Sequence, residues 1–155
     1  NQEENLIILT SIGRLFKFDL SNKLLNPSTK QSQGLLLVNL LPTEKIVSCC
    51  KSKDKVSLYL VSKKGKFFKL KIDEIYDSHT SQLGYVNEKI QLNNDYFIKI
   101  LSDNQYIDIE TNKNKSARLN LKKLPINSGK NLLKIDFLNL EKDEYLENCS
   151  RLEIF

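Results

Sequence analysis

Hydrophobic and polar positions fall into a pattern that recurs about every 50 residues. Starting from Leu6, Val56 and Tyr106, three segments align: "LIILTSIGRLFKFDL", "VSLYLVSKKGKFFKLKI" and "YIDIETNKNKSARLNL". Each has an apolar or alternating run, a polar turn and a second alternating run, which predicts a β-hairpin. A polar loop follows each hairpin, and then a further pair of predicted strands. These lie in "GLLLVNLLPTEKIVSCC", "GYVNEKIQLNNDYFIKIL" and "GKNLLKIDFLNLEKDEYLENC", and "RLEIF" closes the chain as another alternating strand. The third of these segments has the composition of an amphipathic helix, but its alignment with the other two favours strands.

The glycines follow the same period. Gly13 and Gly65 sit in hairpin turns, where the third repeat has Asn114, and Gly34, Gly84 and Gly129 open the later strand pairs. Glycine, and to a lesser degree Asn, tolerates the positive φ that other residues resist. The pattern therefore predicts two unusual backbone positions per unit.

A strand's period of two places Phe16, Phe18 and Leu20 on one face, with Phe68, Leu70 and Ile72, then Ala117, Leu119 and Leu121, as counterparts. Lys17, Lys69 and Arg118 fall on the opposite face, and a basic residue follows each turn: Arg14, Lys66 and Lys115. The expectation is one buried face per unit and two recurrent cations turned to solvent. The fold class expected is all-β: a β-pinwheel or propeller-like array of about three four-stranded blades, with repeat units 6–55, 56–105 and 106–155. Closed propellers have roughly four to eight blades, so three form a partial one.

Composition narrows the field. The chain has 155 residues, of which 40% are hydrophobic and 28% charged, which suits a folded domain. "LLLVNLL" is the longest apolar run and is too short to span a bilayer, so no membrane partner is expected. The start, "NQEEN", is polar and lacks a secretion signal's apolar core, and Met is absent throughout. The chain thus reads as a piece of a longer, cytoplasmic protein. Cys49, Cys50 and Cys149 are read as reduced, partly buried thiols, and one histidine, His79, makes no zinc pattern. No cofactor is expected. His79 has no arrangement of nucleophile and carboxylate around it and reads as a solvated loop residue, and the acidic groups "DEIYD" and "EKDEYLE" read as solvated loops.

The repeat resembles the blades of the C-terminal β-pinwheel domain found in the A subunits of bacterial DNA gyrase and topoisomerase IV, the type IIA topoisomerases. The motif is an apolar strand, a Ser or Thr, a turn glycine, a basic region, an apolar strand, a loop ending in glycine, and an acidic residue opening another strand. "LIILTSIGRLFKFDL", "STKQSQG" and "EKIV" carry it in the first unit. "LYLVSKKGKFFKLKI", "SQLG" and "DYFI" carry it in the second, and "IDIETNKNKSARLNL", "INSG" and "DEYL" in the third. The resemblance implies a non-catalytic module that binds and bends double-stranded DNA along a basic rim. It also implies two protein partners, the remainder of the strand-cleaving topoisomerase chain and its ATPase partner. The gyrase box Q-R-R-G-G-K-G is reduced here to "STKQSQG", which keeps one basic residue and the final glycine. That departure weakens the implication of chiral wrapping.

A rim of Lys and Arg holds DNA by neutralising phosphates and releasing counterions. The candidate DNA contacts are the columns Arg14, Lys66, Lys115 and Lys17, Lys69, Arg118, extended by Lys30, Gln31, Gln33, Lys63, Lys64, Lys113 and Lys130. The plainer alternative is that such lysines keep strand faces soluble. Residues 6–55 carry eight basic and three acidic side chains, 56–105 seven and six, and 106–155 nine and eight. The first unit is therefore expected to dominate any DNA contact. Phe67 is expected to pack against a neighbouring blade. The competing function is a propeller-like protein-interaction scaffold that has lost DNA wrapping.

Overall fold

The computed structural model describes residues 4–20, 40–53, 57–78, 84–86, 96–102, 106–121, 132–134 and 140–151. The strands are β1 (Glu4–Thr10), β2 (Leu15–Asp19), β3 (Ile46–Lys53), β4 (Ser57–Ser62), β5 (Lys66–Lys71), β6 (Phe97–Ser102), β7 (Tyr106–Thr111), β8 (Ser116–Asn120), β9 (Leu132–Lys134) and β10 (Leu146–Arg151). A 3-10 turn, Ile72–Glu74, follows β5. The fold is all-β, as the alternation predicts.

All three predicted hairpins form, and each centres a sheet. The antiparallel sheets run β2-β1-β3, β6-β4-β5-β9 and β10-β7-β8. Register makes the repeat equivalence concrete: Thr10 pairs with Ile46, Ser62 with Phe97 and Thr111 with Leu146, each beside a bulge. The turns match as well. Gly13, Gly65 and Asn114 have φ of 90°, 86° and 63° and donate their amides to Thr10, Ser62 and Thr111 at 3.0–3.1 Å.

The segments directly after the later glycine of the second and third units pair outside their own unit, whereas β3, β6 and β10 pair with β1, β4 and β7 of theirs. β9 pairs with β5, and Tyr85 forms a bridge with Leu15 of β2. Sheets therefore cross the sequence repeat. Gly84 makes the second crossing possible: with φ of 77°, a Cβ there would meet the Phe16 ring at 2.7 Å. Gly34 and Gly129 lie outside the described residues.

Burial departs from the one-sided expectation. One face of the first hairpin carries the cross-strand pairs Ile7–Lys17 and Leu9–Leu15, and the matching face of the second carries Tyr59–Lys69 and Val61–Phe67. Ile7, Leu9 and Leu15 share a core with Leu58, Leu60, Phe68 and Leu70 of the second unit. Tyr59, Val61 and Phe67 share the next core with Ile107, Ile109 and Leu119 of the third. Each of the first two sheets thus buries both faces, one against each neighbour or against its own cluster of Ile8, Phe16 and Phe18. Phe67 packs between units as expected. The face expected to be solvated is an inter-blade face because blades stack, and stacking covers both sides of a sheet.

Candidate nucleic-acid interface

The basic residue after each turn is placed by a recurrent clasp. The Ser or Thr ending the first strand accepts the backbone amide of the basic residue: Arg14 to Thr10 at 3.1 Å, Lys66 to Ser62 at 3.0 Å, Lys115 to Thr111 at 3.3 Å. In the first and third units a buried glutamate completes it. Arg14 Nε donates to Glu44 Oε2 at 2.8 Å and its Nη2 to Oε1, a bidentate pair. Lys115 Nζ lies 3.5 Å from Glu144, which also accepts the Thr111 hydroxyl at 2.8 Å. Both glutamates fold back on their own turns, accepting the amides of Leu41 at 3.0 Å and Glu141 at 3.1 Å.

The clasp sets the charge state of both acids. Burial pushes the Glu44 carboxyl up, but hydrogen bonds from Arg14, Thr10 and the Leu41 amide, with the Arg14 charge, hold it below its ordinary value. The Glu141 amide and then the Thr111 hydroxyl lower Glu144 against its own desolvation. Both stay ionised where their cations need them.

Arg14 is only 7% exposed and Lys17 8%. Lys17 reaches into the second unit, with Nζ 3.4 Å from the Ile72 carbonyl and 3.4 Å from Asp77. The expectation that these two cations face solvent is thereby corrected: Arg14 is spent on Glu44, and Lys17 bridges two blades with its stem buried. Lys69, at the matching position, is half-buried with its ammonium 5.6 Å above the Tyr59 ring. Lys63 is half-buried over Tyr145 at 4.4 Å.

In the third unit the candidate cations are exposed but matched by carboxylates. Lys113 pairs with Asp143 at 2.7 Å and with Glu141, and the Asp143 and Glu141 hydrogen bonds raise its pKa. Arg118 pairs with Asp108 at 2.8 Å. Lys64 is exposed and Lys66 half-buried, while Lys30, Gln31, Gln33, Lys130 and His79 lie outside the described residues. Lys45, Lys51 and Lys71, which belong to neither basic column, are also exposed. Parity on β5 could have found Lys71, two residues beyond Lys69.

The thiols are free, with Cys49 exposed, Cys50 half-buried and Cys149 buried. Desolvation pushes the Cys50 thiol up to about 11 and that of Cys149 to about 12. No group of metal-ligating side chains occurs among the described residues, and none of their helices is long and apolar enough to cross a membrane.

Three hairpin-centred sheets that stack face to face define a propeller-class array of the β-pinwheel kind. Among solved structures, the chain resembles the DNA gyrase A C-terminal domain at 20% identity and a TM-score of 0.62, over 79% of this chain and 40% of that one. It also resembles the C-terminal domain of DNA topoisomerase IV at 16% identity and a TM-score of 0.67, over 97% of this chain and 46% of that one. The chain therefore has the fold of these domains and spans less than half the length of either. Neither the protein-family models nor the curated proteins give a match.

Proposed function

We propose that the chain is a DNA-binding accessory piece of the strand-cleaving chain of a type IIA topoisomerase, holding duplex DNA without sequence preference. The observation that carries this reading is its fold, shared with the C-terminal domains of DNA gyrase A and topoisomerase IV. The net charge of +5, concentrated in residues 6–55, supports it. Phosphate neutralisation favours cations that are exposed and not committed to the protein's own carboxylates. The proposed contacts are accordingly the exposed Lys45, Lys51 and Lys71, joined by the half-buried Lys63 and Lys69, whose ammoniums lie over aromatic rings rather than on carboxylates. Lys64 and Lys66 join them by their position in the turn of the second unit. Lys30, Gln31, Gln33 and Lys130 remain in the proposal on sequence alone. Arg14, Lys17, Lys113, Lys115 and Arg118 serve the protein's own clasps and ion pairs. The partners of such a piece are double-stranded DNA, the remainder of the strand-cleaving chain and the ATPase chain, in the cytoplasm.

Carboxylate pairing across the third unit favours a second reading, a scaffold that binds protein. A mobility-shift titration of duplex DNA at two salt concentrations separates the two. DNA binding predicts affinity that falls steeply with salt and is lost in Lys45→Glu/Lys51→Glu/Lys71→Glu, while Arg118→Glu binds as before. Absence of binding at low salt overturns it.

A further inference from the structure

The blade-to-blade contact occurs twice in this chain with the same parts. In the second unit the Phe97 amide donates to the Ser11 carbonyl in the turn of the first unit at 3.0 Å. In the third the Leu146 amide donates to the Lys63 carbonyl in the turn of the second at 2.7 Å. Leu140 and Leu146 also lie over that turn: a Cβ on Gly65 would stand 3.0 Å from Leu140 Cδ1 and 4.0 Å from Leu146 Cδ1. A side-chain-free turn residue thus lets the next blade close down on it.

The first unit has the same seat, and there it is exposed. Ile46 occupies the register position of Phe97 and Leu146, which are 2% and 1% exposed, yet Ile46 is 49% exposed. Leu40, in the place of Leu140, and its neighbour Leu41 are 37% and 54% exposed.

The other end of the array differs. Where the first two units carry Ile7–Lys17 with Leu9–Leu15 and Tyr59–Lys69 with Val61–Phe67, the third carries Asp108–Arg118 and Glu110–Ser116. Its turn has Asn114, exposed, in place of the buried Gly13 and Gly65. A polar outer face and a turn with a side chain are what a terminal repeat needs to stay in water.

We infer that the array is directional: the third unit is a cap, and Leu40, Leu41 and Ile46 form a docking seat for the glycine-containing hairpin turn of a further repeat of this kind. The occupant follows from the contact made twice within the chain, in which the seat takes a Ser- or Thr-x-x-Gly turn backed by an apolar strand face. The third unit of a second copy lacks both features, so the chain does not assemble head to tail with itself. The similar domains have about twice this chain's length, which leaves room for such repeats.

The probe is a donor chain with its cap removed and its own seat spoiled: Asp108→Ile, Glu110→Leu, Asn114→Gly and Ser116→Leu, together with Ile46→Asp. Sedimentation velocity of the donor mixed with the unaltered chain should show a 1:1 complex, a doubling of mass. That complex should be absent when the acceptor carries Ile46→Asp. No complex from a donor whose circular dichroism and melting match the unaltered chain overturns the inference. So does self-association of the unaltered chain that Ile46→Asp abolishes. Should the donor not fold, urea titration decides. Leu146→Ser should lower the unfolding midpoint while Ile46→Ser leaves it in place, and an equal drop in both refutes an open seat.

Discussion

Arg14 and Glu44 stand 30 residues apart in the chain and meet as a buried bidentate ion pair that closes the turn of the first blade. The Arg14 guanidinium also lies 5.2 Å from the centre of the Phe16 ring. The pair joins the β1–β2 turn to the start of β3. It thereby fixes where β3 begins its pairing with β1, because the carboxylate that holds Arg14 also holds the Leu41 amide.

Removing Arg14 should therefore act on folding rather than on ligand binding alone. Arg14→Ala leaves a buried carboxylate without its cation, which costs about 3 kcal/mol or more. Arg14→Lys keeps the charge but loses the planar fork and should fall in between. Urea unfolding followed by circular dichroism measures both, with Lys45→Ala as a surface control expected within about 0.5 kcal/mol of the unaltered chain.

Acid should loosen the same clasps. Glu44 and Glu144 are both held below the ordinary carboxyl value of 4.5 in the folded chain. A depressed folded pKa means that the unfolded chain binds more protons. The stabilisation is therefore complete above that ordinary value and is lost as pH falls from it through the lower folded values. Unfolding midpoints should be flat near neutrality and decline below about pH 4.5. Glu44→Gln should be less stable at neutral pH and show a shallower acid decline, measurable by thermal melts across pH.

Gly84 should tolerate no side chain. Its φ of 77° disfavours any L residue, and a Cβ would also press on the Phe16 ring at 2.7 Å and the Leu15 carbonyl at 3.1 Å. The combined strain and overpacking in Gly84→Ala should cost about 3 kcal/mol. Because Tyr85 bridges Leu15, amide exchange at Leu15 and Tyr85 should rise in this variant more than exchange in β7 and β8.

The hairpins, their turn positions and the acid-led third strand were legible because each is a local pattern. The turn needs a residue tolerant of positive φ, and a strand needs its period of two. What misled was Lys17. Alternating with Phe16 and Phe18, it imitates a solvated strand face, yet its stem is buried between blades and its ammonium finds Asp77 in the next unit. The runs "LIIL" and "SLYLV" held the contrary signal, since uninterrupted apolar residues mark a strand covered on both sides. The glutamate partner of Arg14 was not legible as such. Glu44 stands at a motif position, but its pairing spans a long loop that carries no spacing rule. Likewise the crossing of β9 to β5 joins segments separated by more than a whole repeat, and no local pattern encodes that partner.

Lys17 offers a clean separation of scaffold from DNA contact. Its ammonium meets the Ile72 carbonyl and Asp77, and its backbone is tied to Ser78 by bonds of 3.1 and 2.8 Å. Lys17→Met keeps the buried stem and the backbone bonds while removing the charge. Replacing a mostly buried ion pair partner by an apolar residue of similar volume should change stability by only about 1 kcal/mol. If Lys17 belongs to the blade interface, the salt dependence of DNA affinity should not change, since no released counterion is lost. If it touched phosphate, the slope of log affinity against log salt should fall by about one. Measuring that slope beside the one for Lys71→Met, whose exposed ammonium is among the proposed contacts, distinguishes a charge that holds blades together from one that holds DNA.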